Sequence, residues 1–305
     1  MANSLNDKIA IVTGAGRGIG RGVALFLASE GAKVIVNDPG SNLDGSENAT
    51  SPADQVVTEI EKAGGQATAN YGNVADFSVG ASMVTQAVET YGSLDIIATC
   101  AGILRDRMIF NMSEEEWDMV IAVHLKGTFN LIRHASTQFR RQRSGRIITF
   151  TSESGLEGNV GQSNYGAAKG GIAGLTRVVA RDLGRYGVTC NSVAPRALTR
   201  MTANVPRGEQ LGQNGFAALG AGLDNWNPED IAPFVAYLAG DAAADINGQI
   251  FLVYGSTIAI MSQPRPAYTI QKADGLWTVE ELKQILPTTL AKDLVNPAPK
   301  QRPKE

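Results

Sequence analysis

Residues 163–169 read Ser-Asn-Tyr-Gly-Ala-Ala-Lys, which sets Tyr165 and Lys169 four positions apart, on one face of any helix they share. Ser152 lies thirteen residues before the tyrosine, just past a β-branched, strand-like run. A free phenol titrates near pH 10, so exchanging protons near neutrality needs a shift of about 3 units, worth ~4 kcal/mol. One ammonium at ~4 Å in a medium of effective dielectric ~20 supplies about that much. Tyr165 is therefore the expected general acid/base, Lys169 the charge that tunes it, and Ser152 the hydroxyl that holds a substrate oxygen. Taken alone, a tyrosine and a lysine at helical spacing are more often a surface accident, so the rest of the chain decides.

A second constellation stands near the N-terminus. Thr13-Gly14-Ala15-Gly16-Arg17-Gly18-Ile19-Gly20 follows a strand-like run and opens a helix-like one. Glycines there let the backbone approach a pyrophosphate, and a helix N-terminus offers free N–H groups and partial positive charge. Asp38 closes the next strand-like run, about 20 residues on, where a carboxylate can bind both ribose hydroxyls and repels a 2′-phosphate. That points to NAD over NADP. Arg17 argues the other way, since a cation in the loop could pair with a 2′-phosphate; the repulsive element discriminates more strongly. Asp38 is followed by Pro39, so a plain turn former is the competing reading.

The elements that must carry these residues alternate along the chain. Short apolar runs at 9–13, 33–37, 67–70, 94–99, 146–151, 188–193 and 249–253 are near-continuously apolar, as parallel strands covered on both faces must be. Helical patterns lie between them at 20–29, 53–63, 79–91, 114–141, 163–185 and 228–239. The expected fold is α/β, a Rossmann-type doubly wound parallel sheet of about seven strands with helices on both faces and ligands at the strands' carboxyl ends. One catalytic domain is expected over 1–263, then an extension over 264–305 with a short helix at 279–285. A polar loop over 39–52 and a Gly-rich segment over 198–227, read as a substrate flap, interrupt the rhythm.

Composition excludes other classes. The 305 residues are 43% hydrophobic and 19% charged, enough to bury a sizeable core. A net charge of −3 and no basic run beyond Arg140, Arg141, Arg143 and Arg146 argue against nucleic acid; that group reads as a solvated helix C-terminus. The two cysteines, Cys100 and Cys190, read as buried reduced thiols, and no metal site is expected. No stretch has the length of a membrane span and residues 1–8 lack an apolar signal core, so a soluble cytoplasmic protein is expected.

With these motifs in hand the chain resembles a short-chain dehydrogenase/reductase over about residues 5–262. The resemblance rests on the Gly-rich turn, Ala101-Gly102 after the fourth strand, the Ser152, Tyr165 and Lys169 set, Asn191 with Pro195, and Thr199 four beyond it. It implies that Gly14, Gly16, Arg17, Gly18, Ile19, Gly20, Asp38, Asn73, Val74, Ala101, Gly102 and Pro195 bind the cofactor. It also implies that Tyr165 and Lys169 join them, the lysine on the nicotinamide ribose, and that Thr199 holds the carboxamide side.

Within the family the chain is similar to the (3R)-hydroxyacyl-CoA dehydrogenase units of peroxisomal multifunctional enzymes and their stand-alone bacterial relatives. The shared stretches include Asn37-Asp38, Gly102-Ile103-Leu104-Arg105-Asp106-Arg107 and residues 123–129 and 158–165. That branch implies an acyl-CoA or similar thioester substrate, including thioesters from lipid or steroid-ring breakdown. Three departures stand out. Thr99-Cys100 replaces the usual Asn-Asn; His124 replaces a frequent Asn that supports a helix kink and proton path; and Arg196 follows Pro195 where Gly is common, a cation near the cofactor or an acyl-CoA phosphate. His124 is carried as a fourth catalytic candidate.

The expected function is an NAD-dependent oxidoreductase interconverting a secondary hydroxyl and a ketone on a 3-hydroxyacyl-CoA or related thioester. The alternatives are an NADPH-dependent 3-oxoacyl-carrier-protein reductase or a hydroxysteroid dehydrogenase and, in another class, a non-catalytic nucleotide-binding regulatory protein, which loss of Tyr165 or Lys169 would have marked. A homodimer or homotetramer through helices 114–141 and 163–185 is expected from the resemblance.

Overall fold

A computed structural model describes residues 4–40, 51–197 and 226–297. These fall into two compact units, one holding everything up to Met261 and the other the described residues from Ser262 onward. The first unit is built on an eight-stranded sheet in the order β3-β2-β1-β4-β5-β6-β7-β8. Its strands are β1 (Ile9–Thr13), β2 (Lys33–Asn37), β3 (Gln66–Asn70), β4 (Ile96–Thr99), β5 (Gly145–Phe150), β6 (Val188–Pro195), β7 (Ile250–Tyr254) and β8 (Thr257–Ile260). All neighbouring pairs run parallel except β7 with β8. The sequences IAIVT and IIAT are buried at every position, which explains their lack of alternation.

Helices α1 (Gly18–Ser29), α2 (Pro52–Lys62), α3 (Phe77–Tyr91), α4 (Glu114–Ile121), α5 (Gly127–Gln142), α6 (Glu153–Leu156), α7 (Ser163–Gly184) and α8 (Ala232–Ala239) cover the sheet. One face buries Val23, Leu27, Val56, Val235 and Leu238 against it, and the other buries Met83, Leu131, Phe139 and Leu183. Local signals set the helix starts: Ser51 caps α2 ahead of Pro52, and Ser113 with Glu116 forms a capping box on α4. The second unit carries α9 (Val279–Ile285), the short helix expected there, opened by a Thr278–Glu281 capping box.

Four features differ from the sequence reading. The sheet has an eighth strand, since the chain turns back at Gly255 (φ +47°) and β8 pairs antiparallel with β7 as an edge strand exposed at all four positions. The β8 sequence, Thr-Ile-Ala-Ile, is mostly apolar but only 4 residues long and follows β7 after a two-residue turn, so it does not stand out as a separate strand. The long helix expected over 114–141 is broken by a π-helical turn, Ala122–Lys126. Cys190 is buried as expected, whereas Cys100 is half-buried. Arg146 is no part of a solvated helix end: it is buried in β5 and donates to the carbonyls of Gly145, Gly187 and Gly240.

Strand ends align where a site would form. Thr13 pairs with Asn37 and with Thr99, Thr99 with Thr149, and Phe150 with Val193. Gly14, Asp38, Cys100 and Ser152 therefore leave the sheet along one edge, beside the point between β1 and β4 where the strand order reverses.

Candidate active site

The turn after β1 is tight because its glycines admit no side chain. Gly14 has φ +62°, and a Cβ there would lie 2.6 Å from the Ala101 Cα; one on Gly20 would lie 2.2 Å from the Gly14 carbonyl oxygen. Gly18 also has positive φ, at +55°. The Arg17 side chain does not cap α1, and among the described residues the helix opens on glycine-rich backbone of the kind that receives an anion. Asp38 faces this turn: one carboxylate oxygen accepts from the Gly16 N–H at 3.0 Å and the other from the Gly40 N–H at 2.8 Å. A glycine cradle, an open helix terminus and a fixed carboxylate at the next strand end are donors and acceptors that suit a dinucleotide.

The flanking candidates divide. Ala101 anchors to the turn through its N–H, 3.3 Å from the Thr13 hydroxyl, and Pro195 ends β6 on the same edge. Ile19 packs against the core. Val74 is buried, with its carbonyl accepting from the Asn130 side chain at 2.8 Å, while exposed Asn73 turns its own carboxamide back on the Ala75 N–H. Arg17 occupies the N-cap position of α1. Thr199 and all of the expected flap except Trp226 and Asn227 lie outside the described residues, as does most of the 39–52 loop.

Ser152, Tyr165 and Lys169 come together at the ends of β5 and α7. The chain leaves β5 through Thr151, whose N–H donates to the Val193 carbonyl at 2.9 Å and whose hydroxyl donates to the Lys169 carbonyl at 2.8 Å. Ser152 then caps the single turn α6, accepting from the Ser154 N–H at 3.2 Å. Tyr165 and Lys169 lie one turn apart on α7, and the ammonium stands 5.6 Å from the phenol ring centroid. The Lys169 Nζ donates to the Phe150 carbonyl at 2.7 Å.

The electrostatics differ from the sequence argument. Burial pushes the Tyr165 phenol up to about 12; a hydrogen bond with Ser152 pulls it down, and the Asp106 carboxylate adds to the rise. Lys169 is itself drawn down to about 8 by burial. The downward pull on the phenol comes from the Ser152 hydrogen bond rather than from the Lys169 ammonium, and it is smaller than the cost of taking a phenolate out of water. In the protein alone Tyr165 is thus held as a proton donor, and Lys169 is mostly cationic at neutral pH.

His124 lies in the π-helical turn, buried, with its ring edge-on to Tyr165 at 5.2 Å and 87°. Its Nε2 is 2.8 Å from the Ile103 carbonyl oxygen and 3.1 Å from the Ile103 N–H, while Nδ1 has no partner among the described residues. A Cβ on Gly102 would lie 2.3 Å from the imidazole, so that glycine makes room for His124. Burial and the Lys169 charge lower the imidazole pKa from 6.5 to about 3. An unfolded chain binds that proton below pH 6.5 and the fold does not, so this site loses stability as pH falls from 6.5 towards 3. His124→Asn should flatten the fall of Tm across that window in calorimetry; an unchanged slope would rule out the neutral buried imidazole.

Two residues near the site, Asp106 and Glu153, went unassigned in the sequence, and a third, Arg196, has a different role from the one expected. Asp106 accepts from the Gln162 side chain at 2.8 Å, and partial loss of water around its carboxyl raises its pKa. Glu153, next to Ser152, is buried against Arg196 in a bidentate ion pair. Arg196 therefore does not stand as a cation held out toward a phosphate: two of its nitrogens are committed to a carboxylate. A charge at each of two apolar strand ends was the available signal.

Comparison with known proteins gives concordant results. The family model for short chain dehydrogenases matches residues 8–210. The chain is 42% identical over 290 residues to the hydroxyacyl-CoA dehydrogenase ChsB1 of Mycobacterium tuberculosis, covering 92% of this chain and 88% of that protein. It is 43% identical over 252 residues to a 3-oxoacyl-acyl-carrier-protein reductase of Staphylococcus aureus, covering 81% and 97%. The structure of full-length peroxisomal multifunctional enzyme type 2 from Drosophila melanogaster matches with a TM-score of 0.70 at 34% identity, over 93% of this chain and 45% of that one. The chain thus spans less than half the length of that enzyme.

Proposed function

The chain belongs to the short-chain dehydrogenase family, and from that premise we propose that it is an NAD-dependent oxidoreductase interconverting a hydroxyl and a ketone on a 3-hydroxyacyl-CoA or related CoA thioester. The convergence of Ser152, Tyr165 and Lys169 at one sheet edge carries the chemistry. Ser152 holds the substrate oxygen by hydrogen bond, and Tyr165 gives that oxygen its proton in reduction and takes it in oxidation. Lys169 places a positive charge beside the phenol and a donor toward the nicotinamide ribose. Bound nicotinamide supplies the hydride acceptor or donor. His124 supports the Tyr165 ring by packing, and Gly14, Gly16, Gly18, Gly20 and Asp38 receive the dinucleotide.

The family binds NAD(P); Asp38 supports NAD. Its carboxylate is already tied to two backbone N–H groups, so a 2′-phosphate would meet a negative charge that cannot swing away. NAD should show the lower KM, with kcat/KM favouring it by at least about tenfold, ~1.4 kcal/mol; a lower KM for NADP in steady-state assays would overturn this and shift weight to Arg17.

Similarity to ChsB1 supports a CoA thioester, and similarity to the acyl-carrier-protein reductase supports the second reading. Turnover across acyl-CoA, acyl-carrier-protein and steroid panels with both cofactors separates them: fastest turnover of an acyl-carrier-protein substrate would replace the first reading.

We assign a homodimer or homotetramer on the apolar residues that α4, α5 and α7 leave exposed, among them Trp117, Phe129 and Val178. A monomer mass by light scattering at micromolar concentration would count against it. No helix among the described residues is long and apolar enough to cross a membrane.

A further inference from the structure

Ser152 is carried on α6, a single helical turn of 4 residues. So short a helix does not hold its own orientation, because one turn gains too few hydrogen bonds to offset the order it imposes. Two side-chain clamps hold it instead. On one side the Ser154 hydroxyl donates to the Gln162 side-chain oxygen at 2.8 Å, and Gln162 donates in turn to Asp106 at 2.8 Å. On the other side the Glu153 carboxylate accepts from the Arg196 Nε at 2.6 Å and from a terminal nitrogen of the same guanidinium.

The second clamp reaches across the sheet. Arg196 follows the last residue of β6, and its N–H donates to the Val253 carbonyl on β7 at 3.0 Å. Its guanidinium lies over the Tyr254 ring at 5.0 Å, and that ring packs on Trp226 at 4.6 Å. Glu153 and Arg196 are 4% and 7% exposed, so both charges are out of water. A buried ion pair adds little net stability over an apolar pair of similar volume, but its fork geometry admits one orientation. Glu153 is bonded directly to Ser152, so that orientation is passed to the residue that faces Tyr165.

We infer that Glu153 and Arg196 are positioning residues for Ser152: their bidentate pair, stacked on Tyr254, locks the α6 turn so that the serine hydroxyl stays aimed at the Tyr165 phenol. This rests on the reading of Ser152 as the group that holds the substrate oxygen. Lysine cannot replace the arginine here, since an ammonium offers neither the fork nor the flat face for the ring.

A double-mutant cycle tests it, using the best substrate of the panel above with NAD. Its corners are wild type, Ser152→Ala, the charge-free pair Glu153→Leu/Arg196→Met, and the three changes together. The charge-free pair should fold with a Tm near wild type and unchanged NAD affinity. It should lose kcat by at least about tenfold with little change in KM, because misplacing a reacting group by an ångström is that costly. With the hydroxyl already gone there is nothing left to aim, so the triple variant should be no slower than Ser152→Ala. If the charge-free pair does not fold, Arg196→Lys takes its place in the same cycle, with the same expected non-additivity. Losses that multiply, or a charge-free pair with normal kcat, would overturn the positioning role while leaving that of Ser152 intact. Full turnover by Ser152→Ala would instead remove the role of Ser152, and the positioning role with it.

Discussion

Tyr165→Phe is expected to lower kcat by at least about a hundredfold while the protein folds and binds NAD as before, since general acid/base steps contribute typically 10²–10⁴-fold. The variant keeps the ring that packs edge-on against His124 and removes only the hydroxyl to which the proton exchange is assigned. The pH profile supplies a second readout. With its pKa raised to about 12 by burial, Tyr165 is protonated at neutral pH, the form that serves ketone reduction. Alcohol oxidation needs the phenolate, so its kcat/KM should climb with pH and level off above about pH 8, where Lys169 loses its charge, and the phenylalanine variant should lose that limb. Near-normal turnover by Tyr165→Phe on a confirmed substrate would sink the assigned acid/base and the mechanism with it.

Lys169→Ala should damage two things at once. Turnover should fall by at least about a hundredfold, and the Kd for NAD, read by calorimetric titration, should rise by about tenfold or more, ~1.4 kcal/mol. Lys169 is 5% exposed, and its ammonium is anchored on the Phe150 carbonyl, so the charge is held at one place. Its pKa of about 8 adds a signature in wild type. Reduction should be flat through neutral pH and decline above about pH 8 as the charge is lost. Unchanged NAD affinity in Lys169→Ala would remove the ribose contact and leave the lysine an electrostatic role alone.

Local spacing made much of this protein legible. Continuous apolar runs such as IAIVT and KVIVN marked buried parallel strands, because a strand covered on both faces has no polar side to alternate with. The Gly-rich turn, Asp38 and the serine–tyrosine–lysine set stand at the strand and helix ends where their order along the chain put them. Edge strand β8 was not legible, because 4 mostly apolar residues so soon after β7 do not separate from it in sequence, and neither was the π-helical turn inside a continuous helical period.

What the tertiary structure decided was pairing and field. The Arg196–Glu153 clamp joins residues 43 positions apart, and Gly102 and His124 fit each other across 22 positions; neither separation leaves a mark in a linear pattern. The direction of the Tyr165 shift was equally out of reach. A sequence shows that a lysine stands one turn away, but burial, which sets the direction here, depends on what every other element removes from water.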